Sequence, residues 1–313
     1  AASDVYKRQT ETTEDAVSEL VDKTMAEMSL HDKVCQMMFV TPEGLTGTDD
    51  VMVAGDATKQ ALQAYPVGGI IYFANNFDNV DQTRDMISNT QSYSKIGLFI
   101  ATDEEGGRVN RIMDTLGTTY IGPMYDYKDD GPDAAFENAK TIASDMSALG
   151  FNLDFAPVAD VWSNPDNTVI GDRAYSDDYA QAAELVGSAV KGFQDGGVIC
   201  TLKHFPGHGD TAEDSHYSSA YVNRTKAQIM ADEMQPFRTG IDAGAELVMV
   251  GHLIVPDIDE LPSTLSYKIA TEMLRGDMEF DGVAITDSME MESIADNYGV
   301  ADSAVMAVQA GMD

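Results

Sequence analysis

The sequence predicts an α/β fold, a (β/α)8 TIM-type barrel truncated before its eighth strand. Seven short apolar runs alternate with segments of helical periodicity along most of the 313 residues. Continuous apolar strands joined by single helices imply a parallel sheet, because a parallel crossover needs about a dozen residues and is usually helical. Polar residues gather at the C-terminal ends of the runs: Asp103, Asp160, Lys203 with His204, His252 and Asp287. Functional side chains at the ends of many strands suit a barrel, whereas an open doubly wound sheet gathers its ligand at one switch point.

In chain order, strands are expected within 35–42 (CQMMFVTP), 67–76 (VGGIIYFANN), 97–107 (GLFIATDEEGG), 151–161 (FNLDFAPVADV), 197–209 (GVICTLKHFPGHG), 247–256 (LVMVGHLIVP) and 280–291 (FDGVAITDSMEM). A Gly- and Pro-containing stretch from 115 to 133 reads as a long connection at the functional face. After it, Phe136, Ala139, Ile142, Met146 and Leu149 recur at helical spacing, and Met230, Met234, Phe237 and Ile241 predict another helix. At Gln309-Ala310-Gly311-Met312-Asp313 a helix closes where an eighth strand should begin. Without that strand, the first and seventh strands would each keep an unpaired edge, and a shortened coding sequence is the expectation. At the other end, Ala1 to Gln9 resembles translated adapter sequence. Residues 1–24 are read as a non-native or linker-like extension and 25–313 as one barrel domain, incomplete at its C-terminus.

Composition narrows the function classes. With 53 Asp+Glu against 19 Lys+Arg the formal charge is −34, which repels nucleic acid and anionic membrane surfaces. The 43% apolar content still supports a sizeable core. Cys35 and Cys200 sit in apolar runs and read as buried free thiols. No run approaches about 18 apolar residues, so no transmembrane segment is expected, and the chain as given carries no signal peptide. Cytoplasmic and exported or cell-surface locations both stay open.

The densest chemistry lies in Lys203-His204-Phe205-Pro206-Gly207-His208-Gly209-Asp210-Thr211-Ala212-Glu213-Asp214-Ser215-His216, which holds three of the five histidines. Its Gly and Pro breaks end a strand and begin a rim loop. Three readings compete. A metal could use His204, His208, His216 and Asp214, but no HExxH-like spacing is present and Lys203 would repel a cation. The segment could be a solvated His-rich loop. Or His216, oriented by Asp214, could act as an acid/base, since a carboxylate on one ring nitrogen leaves the other to move a proton. A spacing of two permits this pairing without enforcing it.

Asp287, after strand residues 283–286, could be a nucleophile at the barrel mouth or a helix N-cap with Glu290 three residues later; spacing alone leaves these even. In Thr102-Asp103-Glu104-Glu105-Gly106-Gly107-Arg108-Val109-Asn110-Arg111, acids and arginines around a Gly-Gly turn could bind a polyhydroxylated ligand or form a structural ion-pair network.

Four segments together resemble glycoside hydrolase family 3, in its β-N-acetylglucosaminidase (β-N-acetylhexosaminidase) branch: DEEGGRVNR (103–111), NLDFAPVADVWSNPDNTVIGDRAYS (152–176), KHFPGHGDTAEDSH (203–216) and ITDSMEM (285–291). The resemblance implies a retaining exo-glycosidase with Asp287 as nucleophile, His216 as acid/base and Asp214 as its partner. It implies that Asp103, Arg111, Arg173, Lys203 and His204 hold a terminal β-linked N-acetylglucosamine, as in peptidoglycan or chitin fragments. Arg108 and His252 are given supporting roles, and His208 a structural one. No cofactor or metal is called for. A histidine acid/base is uncharged after giving up its proton and admits phosphate as acceptor, so a phosphorylase is the alternative within the family. A metal-dependent hydrolase and a non-catalytic sugar-binding protein are the alternatives outside it.

Overall fold

The computed structural model describes residues 16–211 and 220–313. Nine strands occur there: β1 (Phe39–Val40), β2 (Gly69–Ile71), β3 (Phe99–Thr102), β4 (Leu153–Asp154), β5 (Ile199–Phe205), β6 (Ala220–Tyr221), β7 (Leu247–Val250), β8 (Leu253–Ile254) and β9 (Val283–Thr286). Seven form one parallel sheet in the order β1-β2-β3-β4-β5-β7-β9, and β6 pairs with β8 separately. The order follows the chain, as in a barrel, and helices cross between successive strands. Among the described residues β1 and β9 end the sheet without pairing to each other.

The curl of the sheet shows in its two faces. Phe39, Ile71, Phe99, Ala101, Leu153, Ile199, Leu247, Met249, Val283 and Ile285 come from all seven strands and share one apolar cluster. A flat sheet would keep Phe39 and Val283, on its first and last strands, apart. Residues one position away, such as Ile70, Ile100, Cys200, Val248 and Ala284, belong to the larger core beneath the helices. This is the two-residue alternation of a strand that buries one face inward and one outward.

The helices follow the expected periodicity. Gly131–Leu149 buries Ala139, Ile142, Met146 and Leu149, and it lies against Tyr179–Gly196 with glycines at the contact: a Cβ on Gly192 would stand 2.3 Å from the Phe136 carbonyl oxygen. The segment around Met230 to Ile241 is two helices, Lys226–Ala231 and Met234–Asp242.

Two sequence expectations change. The run 35–42 is not one strand, because Ser29 and Asp32 form a capping box that opens helix Leu30–Gln36, and Cys35 is buried within that helix. The run 247–256 divides at Gly251 and His252 into β7 and β8, and β8 leaves the main sheet to pair with β6. Residues 16–27 are helical, with Val17, Leu20, Val21 and Met25 at helical spacing and exposed. Cys35 and Cys200 are free and buried. Among the described residues no helix is long and apolar enough to cross a membrane.

Candidate active site

The C-terminal ends of β3, β5 and β9, and the extended chain after β4, bring the charged residues together. Asp103 directly follows β3. Gly106 and Gly107 then turn the chain at φ +85 and +57, conformations favourable to glycine; a Cβ on Gly107 would also stand 2.8 Å from Pro123 Cα. Glu104 points back into its own loop and accepts the N–H groups of Arg111, Ile112 and Met113 at 2.6, 2.9 and 3.2 Å.

Lys203, on β5, is 3% exposed at its side chain, and its Nζ lies 2.9 Å from Asp103 Oδ1 and 2.6 Å from Glu105 Oε1. Arg173 closes the network from the short helical turn Gly171–Arg173, donating from Nε and Nη2 to the two Glu105 oxygens, both at 2.8 Å. Burial alone would raise the Glu105 pKa, but Arg173 and Lys203 outweigh it and hold the carboxyl far below the usual range. Burial likewise works against charge on Lys203, yet Asp103 and Glu105 hold its ammonium pKa above the ordinary value. Arg111 approaches Asp103 at 3.8 Å and lies 5.6 Å from the centre of the Phe73 ring.

The next residue on β5, His204, turns to Asp160. Its Nδ1 donates to Asp160 Oδ2 at 2.7 Å and its backbone N–H to the same oxygen at 3.1 Å. That bond fixes the tautomer and leaves Nε2 as the ring's other polar position. The Lys203–His204 peptide bond is cis. Asp160 Oδ1 accepts the His208 N–H at 2.6 Å. The His208 ring pairs with Thr211 Oγ1 at 2.7 Å, and burial pushes its pKa down to about 4.

Asp287 follows β9. Its N–H donates to the Val250 carbonyl at 2.9 Å, and its Oδ1 accepts the Ser288 N–H at 2.8 Å. Burial opposes its ionisation, but His252, His204, the Ser288 N–H and Lys203 together hold its pKa below the usual range. The capping reading does not hold, since the next helix is Glu292–Tyr298 with Met291 at its N-cap. His252 donates from Nε2 to the Ser288 carbonyl at 2.8 Å and pairs through Nδ1 with Thr264 Oγ1 at 2.9 Å, so it braces the loop after Asp287.

Of the residues singled out in the sequence, Asp103, Arg111, Arg173 and Lys203 thus meet in one network, with His204 beside it. Arg108 instead clamps the loop that leads into the Gly171–Arg173 turn, from Nη2 to the carbonyls of Thr168, Val169 and Ile170 and from Nε to Asp172 at 3.2 Å. Asp214 and His216 lie outside the described residues. Among the described residues no group of three metal-ligating side chains converges. Sequence reasoning left Glu105 and Asp160 without individual roles; the available signal was a third consecutive acid beyond the end of one strand and a lone acid after another.

The family model described as "Glycosyl hydrolase family 3 N terminal domain" matches residues 29–313. The chain is 36% identical to beta-hexosaminidase A of Pseudoalteromonas piscicida over 279 residues, covering 82% of this chain and 46% of that protein. It superposes with TM-score 0.84 and 38% identity on a glycoside hydrolase family 3 beta-N-acetylglucosaminidase from Paenibacillus sp. str. FPU-7, covering 91% of this chain and 54% of that one. A structure of NagZ from Neisseria gonorrhoeae in complex with N-trifluoroacetyl-D-glucosamine matches with TM-score 0.79 and 30% identity, covering 88% of this chain and 79% of that one. The chain spans about half the length of the first two of these proteins.

Proposed function

Because this chain belongs to glycosyl hydrolase family 3, we propose that it is a retaining exo-β-N-acetylglucosaminidase that removes terminal N-acetylglucosamine from β-linked glycans such as peptidoglycan or chitin fragments. Asp287 is the nucleophile. It attacks the anomeric carbon while His216, oriented by Asp214, gives its proton to the leaving oxygen; His216 then takes a proton from the water that hydrolyses the glycosyl-enzyme. Asp103, Arg111, Arg173, Lys203 and His204 hold the sugar through charge-assisted hydrogen bonds. The choice of N-acetylglucosaminide is supported by the Paenibacillus protein's name, beta-N-acetylglucosaminidase, by the name beta-hexosaminidase A of the Pseudoalteromonas relative, and by the N-trifluoroacetyl-D-glucosamine in the Neisseria complex.

One observation carries the reading. A carboxylate with a lowered pKa, Asp287, is set by two backbone bonds within the electrostatic reach of Lys203 and His204, whose own partners are fixed acids. An ionised acid beside polar groups that can hold a sugar is what the first step needs.

The test is release of nitrophenol from the β-N-acetylglucosaminide and the β-glucoside, with and without phosphate, with the anomeric form of the product followed by NMR. Selective turnover of the first substrate with retained configuration is expected. Asp287→Ala should remove turnover, and His216→Ala should slow poor leaving groups far more than nitrophenol. Turnover at the wild-type rate by Asp287→Ala would end the nucleophile assignment. A phosphate-dependent rate giving sugar phosphate would make the protein a phosphorylase.

A further inference from the structure

The Glu105 carboxylate touches both Lys203 and Arg173, the two cations of the sugar-holding set that are most fully enclosed. Its side chain is 3% exposed, like that of Lys203, and both its oxygens are taken up by those two cations. Its backbone is fixed as well, the N–H donating to the Val109 carbonyl at 2.9 Å. The Gly106-Gly107 turn then doubles back, with the Gly107 N–H on the Ile121 carbonyl at 2.9 Å.

Counting donors shows what this carboxylate does. A lysine ammonium has three N–H donors and a guanidinium five. Lys203 gives one to Asp103 and one to Glu105, which leaves one. Arg173 gives Nε and one Nη2 donor to Glu105 and one Nη1 donor to the Val169 carbonyl at 3.1 Å, which leaves one on each terminal nitrogen. Without Glu105, Arg173 keeps only the Val169 bond and can rotate, while two like charges face each other in a largely closed site.

We propose that Glu105 is a positioning residue: by bridging Lys203 and Arg173 it decides which of their N–H groups remain for the acceptor oxygens of the bound sugar. The proposal rests on the sugar-binding reading above and adds to it the group that aims two of its cations. Glu104, its neighbour, has no such part, since its oxygens serve the backbone of its own loop.

The experiment compares the wild type, Glu105→Gln and Glu105→Asp. It measures KM and kcat on nitrophenyl β-N-acetylglucosaminide, the Kd of free N-acetylglucosamine by calorimetry, and the fold by circular dichroism. The glutamine removes the charge; the aspartate keeps it but is one methylene too short to span both cations. For Glu105→Gln, KM and Kd should rise together by about 10- to 100-fold, the range expected for hydrogen bonds to charged groups. Its kcat should stay within about threefold, as for lost ground-state binding. Glu105→Asp should show a smaller rise of the same pattern.

A fall in kcat with unchanged KM and Kd would mean lost folded protein only, and would overturn the proposal. So would wild-type binding by both variants, or failure of both to fold. If only the glutamine variant fails to fold, the aspartate decides. A wild type that binds the sugar without hydrolysing it would sink the glycosidase reading and leave Kd to judge Glu105. A wild type that does neither would sink both.

Discussion

His208 shows how one buried side chain ties stability to pH. Burial lowers its pKa from the usual 6.5 to about 4; Asp160 works against the shift and His204 adds to it. Between those two values the unfolded chain takes up a proton that the folded chain refuses, so stability falls as pH falls. Full passage through that window costs on the order of 3 kcal/mol. Above about 6.5 the ring is neutral in both states and contributes no pH dependence. His208→Asn should therefore lose less Tm than the wild type between pH 7 and pH 5, whatever its stability at pH 7. Parallel losses in the two proteins would mean that His208 charges without penalty in the fold. Asp287 has the opposite consequence for chemistry: its lowered pKa keeps the proposed nucleophile ionised into mildly acidic solution. Among the residues, Lys203 and His204 were legible because a strand rarely ends in two polar side chains without partners for them. Glu105 was not, since nothing in DEEGG says which of two adjacent glutamates faces the barrel and which its own loop.

At the scale of elements, the contact between helices Gly131–Leu149 and Tyr179–Gly196 sets how closely the outer layer approaches. Gly192 and Gly196 allow it: a Cβ at 192 would meet the Phe136 carbonyl oxygen at 2.3 Å, and one at 196 the Ala143 Cβ at 2.4 Å. Helix propensity alone favours alanine over glycine by about 1 kcal/mol, but overpacking a tight contact costs about 1–3 kcal/mol. Gly192→Ala is therefore expected to lower Tm. Gly276→Ala, in the helix Lys268–Asp277 with nothing nearer than 3.9 Å to the added carbon, should leave Tm unchanged or raise it. Thermal melts of both variants check this, and a Gly192→Ala protein melting above the wild type would show that the helices can separate at little cost. The periodicity of these helices was plain in the sequence. The division of 230–241 into two helices and of 247–256 into two strands was not; the second arises because β8 leaves the main sheet to pair with β6, a partner distant in sequence.

For the whole molecule the dominant feature is charge. A formal −34 makes the folded chain repel itself, and salt screens that repulsion over a Debye length that falls from about 30 Å at 0.01 M to about 3 Å at 1 M. Tm should rise as sodium chloride is increased from about 0.01 to about 0.5 M, a range over which that length shrinks severalfold. A flat or falling Tm would mean that local ion pairs such as Lys203 with Glu105 matter more than the net field. The sequence by itself determined the seven parallel strands, the barrel class and the end of the sheet that gathers chemistry, because continuous apolar runs, helical spacing between them and strand-end polarity follow from burial along the chain. It also supplied the motifs that point to the family, including Asp214 and His216. Tertiary structure alone decided that Asp287 is no helix cap, that Arg108 clamps a loop, and that Glu105 joins Lys203 to Arg173. Those outcomes depend on which side chains from distant strands meet in a closed site, where each buried charge must find its partner, and local spacing carries no record of that meeting.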